Sequence, residues 1–171
     1  LKIEMTPIGY VRSPFEDPKG IPIQTRGGDD FVGEVEVLDQ YAEGLEDLDG
    51  FSHIILLTYF HKARGYDLKV TPFLDEVERG VFSTRGPRRP NPIGLHIVRL
   101  EKVEGSILRI RGLDMIDGTP VLDIKPYLPH ECDELRLGWL EGKIHHFGSK
   151  LSDGRFDDNE PSVGREGNPE R

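Results

Sequence analysis

The residues best equipped for chemistry lie in STRGPRRPNPIG, residues 83–94, where Arg85, Arg88 and Arg89 alternate with Pro87, Pro90 and Pro92. A guanidinium offers a planar fork of N–H donors that suits a carboxylate or a phosphate. Each proline fixes its own φ near about −65° and pushes the residue before it towards an extended backbone. Arg89 and Asn91 both precede prolines, so little loop freedom remains to be lost when a ligand binds. The pattern reads as a stiff cationic cradle. The competing reading is a solvated loop whose arginines pair with this chain's many acids.

A second constellation is DMIDGTPVLDIKPY, residues 114–127. Asp117-Gly118 is a tight-turn signal. Beyond it, a period of two puts Val121, Asp123, Lys125 and Tyr127 on one face and Leu122 and Ile124 on the other. Asp123 and Lys125 are then either a surface ion pair or part of a pocket wall, and the residues alone leave both open. Asp114 falls at a strand end, where ligand-facing acids often sit. His53 and His61 flank an apolar run eight residues apart. That puts them on one strand face but roughly 26 Å apart at ~3.3 Å per residue, too far to share a metal. No HExxH, Walker A, GxGxxG or GxSxG pattern is present, and Cys132 is the single cysteine. The metal, nucleotide-fold and hydrolase signatures are therefore missing.

These residues need a scaffold, and composition suggests which kind. Glycine and proline together make up roughly a fifth of the 171 residues, against a usual ~12%. Short β-forming runs recur at residues 6–12, 31–37, 51–60, 70–73, 81–84, 93–100, 106–112 and 120–127, separated by turn residues. Tyr41, Leu45 and Leu48 have helical spacing ended near Gly50. The expectation is a mostly β protein: a closed or partly open β-barrel of seven or eight short strands with one or two short helices. The run 51–60 is nearly all apolar and reads as a strand buried on both faces. Residues 1–135 are expected to form the barrel domain and 136–171 a C-terminal extension, its tail (148–171) having the composition of a disordered segment. Net charge is −9, yet residues 80–111 carry seven Lys/Arg and two Glu. A cationic strip on an acidic body can steer a charged ligand. No apolar run is long enough to span a membrane and no signal-peptide pattern opens the chain, so a cytoplasmic location is expected.

Five motifs, in order and spacing, resemble the TrmO/TsaA-like (YaeB-like) family: GYVRSPF (9–15), IPIQTRG (21–27), LDGFSHIILLTYFH (48–61), GVFSTRGPRRPNPIGLH (80–96) and LDMIDGTPVLDIKPY (113–127). The resemblance spans residues 5 to about 130. It implies a β-barrel methyltransferase that uses S-adenosyl-L-methionine, acts on N6 of the threonylcarbamoyl-adenosine beside the tRNA anticodon, and works as a homodimer without a metal. It carries the cofactor-binding role onto Thr25, Arg26, Gly27, His61, Lys62, Arg85, Leu95, Arg111, Gly112, Leu113 and Asp114. On that footing Arg88, Arg89 and Asn91 are expected to bind substrate, and Asp114, Asp123, Lys125 and Tyr127 to form the catalytic side. The loop at 22–27 departs from the family's P-R-Q-P-G-L, and residues 148–171 read as a short polar tail, whereas bacterial members can carry a further C-terminal domain. The alternative is a barrel that binds S-adenosylmethionine or RNA without turnover.

Overall fold

The structure is a computed structural model and describes residues 1–23, 30–128 and 136–153. Eight strands occur among them: β1 (Gly9–Arg12), β2 (Val32–Val37), β3 (His53–Tyr59), β4 (Lys69–Val70), β5 (Arg79–Gly80), β6 (Ile93–Glu104), β7 (Ile107–Arg111) and β8 (Pro120–Pro126). Six close into an antiparallel barrel in the order β1-β2-β7-β6-β3-β8, and β8 returns to β1 where Gly9 faces Val121. β4 and β5 form a separate two-stranded sheet. The barrel expected from turn spacing is thus the fold.

Strand alternation fills the interior. Val11, Val35, Ile54, Leu56, Val98, Leu108, Ile110, Leu113 and Val121 are all fully buried. Each large apolar side chain so placed contributes on the order of 1.5–3 kcal/mol. A six-stranded barrel packed this way has no room for a ligand inside it. Any binding site must therefore lie at a barrel end or on its outer face.

Three local expectations are revised. β3 is not buried on both faces: Ile54, Leu56 and Thr58 point inward, while Ile55, Leu57 and Tyr59 remain partly or largely exposed. The helical spacing at 41–48 gives 3-10 turns, Asp39–Leu45 and Leu48–Gly50, with Leu45 and Leu48 buried and Tyr41 exposed. Gly44 sits inside that segment and weakens a longer α-helix. Val81–Ser83 is a 3-10 turn rather than a strand, anchored by the Val81 amide to the Leu68 carbonyl at 3.0 Å.

The C-terminal extension folds back onto the loops at one barrel end. The Gly20 amide donates to the Ser152 carbonyl (2.9 Å) and the Ser152 amide to the Ile21 carbonyl (2.8 Å). Trp139 Nε1 donates to the Ser83 carbonyl at 2.8 Å. Lys143 reaches Asp75 at 3.1 Å, and Arg79 reaches the same carboxylate at 2.7 Å. These two cations hold the Asp75 carboxyl well below the usual carboxylate range. Residues 150–152 are therefore tied to the body of the protein; residues 154–171 of the polar tail lie outside the described residues.

Candidate functional site

β3 ends, β6 begins, β7 ends and β8 begins at the same rim of the barrel. The connections there enclose a cavity of about 1250 Å³. Phe60, His61 and Lys62 enter it from the end of β3. Arg85, Gly86, Pro87, Arg89 and Asn91 enter it from the Pro-rich loop. Ile93, Gly94, Leu95 and His96 follow at the start of β6, and Asp114, Met115 and Ile116 face them from the β7–β8 connection. Asp17, Pro18, Lys19, Ile21, Pro22 and Ile23, with Leu137, Trp139, Leu140 and Ile144, extend the wall. The Pro-rich loop and the Asp114 turn, separated in sequence, thus share one cavity.

The three loop arginines have three different placements. Arg88 is 4% exposed and turns inward to Asp67, Nε to Oδ2 at 3.2 Å, while the Asp67 amide donates to the Arg88 carbonyl at 3.4 Å. It does not line the cavity. Arg89 does, and its Nη1 also braces the loop through the carbonyls of Thr84 (3.2 Å) and Gly86 (3.3 Å). Arg85 is exposed and lines the cavity. Thr84, whose Oγ1 donates to the Val81 carbonyl at 2.8 Å, fixes the turn from which Arg85 projects.

Of the other residues singled out in the sequence, His61, Lys62, Leu95 and Asn91 line the cavity. Lys62 Nζ also donates to the Glu16 carbonyl. Partial loss of water, with the charge of Lys62 behind it, lowers the His61 imidazole below its ordinary value. Thr25, Arg26 and Gly27 lie outside the described residues. Arg111 sits on the barrel wall and pairs with Glu101. Gly112 makes the bend after β7 with φ at 91°, and Leu113 is in the core.

Asp123, Lys125 and Tyr127 are outside the cavity. Register shifts between Leu57 and Thr58, so that Asp123 faces Leu57 while Val121 faces Thr58. This irregularity breaks the period of two at Leu122. Val121 goes into the core, and Asp123 and Lys125 pair with each other at 2.7 Å on the outer wall. Tyr127 lies beside His53, at the opposite end of β3, with its amide donating to the His53 carbonyl at 3.1 Å.

His96 was not singled out by the sequence. It is 5% exposed and stands between Thr58 Oγ1, 2.9 Å from Nε2, and Asp114 Oδ1, 2.7 Å from Nδ1. Gly94, directly opposite Thr58 in the sheet, makes the room. A Cβ on Gly94 would lie 2.5 Å from Thr58 Oγ1 and 2.6 Å from His96 Nε2. The available signal was alternation: Gly94, His96, Val98 and Leu100 share the inward face of β6, and a histidine on an inward face requires a polar partner.

A second, shallower cleft of about 540 Å³ on the barrel side is lined by Arg12, Glu34, Glu101, Arg109 and Asp117 among others. Its charges largely pair among themselves and their neighbours: Arg12 with Glu36 at 2.7 Å and Arg109 with Glu34 at 3.4 Å. Among the described residues no cluster of three or more His, Cys, Asp or Glu could hold a metal ion, and no helix is long and apolar enough to cross a membrane.

Comparison with known proteins adds a family likeness. Residues 10–134 match the family model described as the tRNA-methyltransferase O N-terminal domain. A protein of Pyrococcus abyssi named as a probable S-adenosyl-L-methionine-binding protein is 49% identical over 91% of this chain and 86% of its own length. A mouse protein named tRNA (adenine(37)-N6)-methyltransferase is 44% identical over 71% of this chain, but only 30% of that protein is spanned. The crystal structure of TrmO from Pseudomonas aeruginosa superposes with a TM-score of 0.68 at 39% identity, covering 81% of this chain and 63% of that one.

Proposed function

The chain belongs to the tRNA-methyltransferase O family, and on that premise we propose that it transfers the methyl group of S-adenosylmethionine to N6 of the threonylcarbamoyl-adenosine next to the tRNA anticodon. The observation that carries the reading is the meeting of Arg85, Lys62 and Asp114 around one largely apolar cavity at the mouth of a filled barrel.

The cavity fits such a cofactor chemically. Ligand pockets of about 300–1,000 Å³ hold drug-sized molecules, so 1250 Å³ leaves room for part of an acceptor as well. Arg85 and Lys62 suit a carboxylate; Asp17 suits an ammonium or a ribose diol; Phe60, Phe82, Ile93, Leu95 and Met115 suit an adenine ring. Bound there, S-adenosylmethionine supplies a methyl group already activated by its sulfonium. The chain's own work is then to align, to exclude water and to take a proton. Alignment of this kind is worth roughly 7–11 kcal/mol in well-oriented reactions. Asp114 is the candidate to accept the N6 proton, since Asp123 pairs with Lys125 on the outer wall.

Among the described residues the cavity lining carries Lys19, Lys62, Arg85 and Arg89 against Asp17 and Asp114. That local excess of positive charge on a chain of net charge −9 supports an RNA phosphate at the mouth, and with it a cytoplasmic site of action. On the outer wall, Ile55 faces Ile97, Leu57 faces Leu95 and Tyr59 faces Ile93, all partly exposed. This apolar stripe runs from the wall to the cavity at Leu95 and Ile93 and supports a homodimer with the site beside its interface. Light scattering is expected to read the mass of two chains; a single-chain mass would remove the dimer from the account.

Two further results are expected. Arg85→Ala should weaken S-adenosylmethionine binding at least several-fold by calorimetry with an unchanged melting temperature, as loss of a charged hydrogen bond of about 1.5–3 kcal/mol implies; unchanged affinity would take Arg85 out of the site. The second concerns pH. A lowered imidazole pKa keeps His61 neutral to a lower pH than the ordinary 6.5. Its proton, arriving only below that value, adds a charge beside Lys62 that opposes a sulfonium ligand. Affinity should therefore stay flat from neutral pH down to about 6.5 and fall below it, and His61→Gln should remove the fall. An identical profile in the variant would contradict this.

The function itself is tested by incubating the protein with methyl-labelled S-adenosylmethionine and tRNA, then identifying the labelled nucleoside by mass spectrometry. Label on N6-methyl-threonylcarbamoyl-adenosine is expected. Tight cofactor binding with no label transferred would instead favour a binding module. That second reading draws on the Pyrococcus relative, which matches over most of its length and whose name refers to binding alone.

A further inference from the structure

The Thr58–His96–Asp114 chain crosses three parts of the barrel: β3, β6 and the β7–β8 connection. Of the three residues only Asp114 has an assigned role, and the role of His96 rests on Asp114 being the proton acceptor. A carboxylate can only accept hydrogen bonds. The 2.7 Å contact therefore requires Nδ1 of His96 to carry its hydrogen towards Asp114 Oδ1. In the neutral ring, Nε2 is then left as an acceptor for the Thr58 hydroxyl at 2.9 Å. In the charged ring, Nε2 donates to the same oxygen instead. The Nδ1–H···Oδ1 bond is present in both states.

We infer that His96 is a positioning residue: it ties down Oδ1 of Asp114 and leaves Oδ2 as the oxygen offered to the cavity. Several features hold the histidine in turn. Thr58 is fully buried, and its β-branched side chain has few rotamers. Phe60 packs edge-on against the imidazole, with ring centroids 6.1 Å apart. Gly94 keeps clear the space that the Thr58–His96 bond occupies. Asp114 stands on a connection, where a carboxylate would otherwise sample several orientations. Through His96 its direction is set by the barrel walls.

The test pairs two amide replacements with a spectroscopic reading. In His96→Asn the amide nitrogen takes the place of Nδ1 and keeps a donor towards Asp114. In His96→Gln the amide takes the place of Nε2 and loses that donor. His96→Gln should lower kcat by about 10- to 100-fold, as misaligned reacting groups do, with S-adenosylmethionine affinity within about threefold and the fold retained in thermal melts. His96→Asn should restore most of the turnover. Equal losses in both variants, or full turnover in His96→Gln, would overturn the inference. Proton NMR of the ligand-free, nitrogen-15-labelled chain is independent of activity. A downfield imidazole N–H resonance should be present in the wild type, move upfield in Asp114→Asn and stay in place in Arg85→Ala. No such resonance, or one indifferent to Asp114, would also overturn it, even if His96→Gln fails to fold. If the wild type methylates no tRNA while the resonance behaves as stated, it is the function that fails and not the positioning.

Discussion

Asp114→Asn is expected to leave the barrel folded and to cut methyl transfer to tRNA by about 10²- to 10⁴-fold, the range in which a positioned acid or base contributes. The amide keeps an oxygen for the His96 donor, so the buried chain is not broken. What is lost is a carboxylate in the cavity that can take a proton. S-adenosylmethionine affinity should change by only a few-fold, since Arg85, Lys62 and the apolar lining are untouched. The division between kcat and affinity carries the meaning. A variant that turns over normally would move the proton acceptor elsewhere, with Asp17 the remaining acid of the lining among the described residues. A variant that neither binds nor turns over would make Asp114 a cofactor contact in the first place. Single-turnover transfer together with calorimetry separates the three cases.

Arg88→Ala is expected to act on stability. Arg88 is almost wholly buried and Asp67 is 18% exposed, so removing the arginine strands a poorly hydrated carboxylate. Breaking a buried pair from one side costs about 3–5 kcal/mol, and the partial exposure of Asp67 argues for the lower end. At ~2–4 °C per kcal/mol for a chain of this size, the melting temperature should fall by roughly 6–12 °C. The same change removes the side-chain tie between Asp67 and the loop from which Arg85 projects, while the backbone bond from the Asp67 amide to the Arg88 carbonyl stays in place. Arg85→Ala should do the opposite: lower cofactor affinity at unchanged melting temperature. If Arg88→Ala melts like the wild type and binds RNA more weakly, Arg88 faces a ligand and the buried pairing does not describe the protein in solution.

These two arginines mark where sequence reading ran out. Loop rigidity was legible from its prolines, and its cationic character from its arginines. Which arginine points where was not, because a loop without repeating dihedrals gives side chains no periodic direction. On strands, alternation reports the inward faces of β2 and β6. It failed on β8, where one irregularity at Leu122 sent Val121 inward and left Asp123 and Lys125 outside. Asp114 was legible as a strand-end acid. Its partner His96 was missed although it lies two residues from Gly94 on an inward face. The contribution of Trp139 and Ile144 to the cavity wall was not legible at all. It depends on backbone bonds between residues 150–152 and 20–23, about 130 positions apart in the chain, and no local pattern encodes such a pairing.

A crystal structure of the protein grown with S-adenosylmethionine is the most direct test. The cofactor is expected in the cavity between the Pro-rich loop and Asp114, with Arg85 and Leu95 in contact with it. A cofactor seated in the barrel-side cleft of Arg12, Glu34 and Arg109, or anywhere away from Asp114, would contradict the assignment.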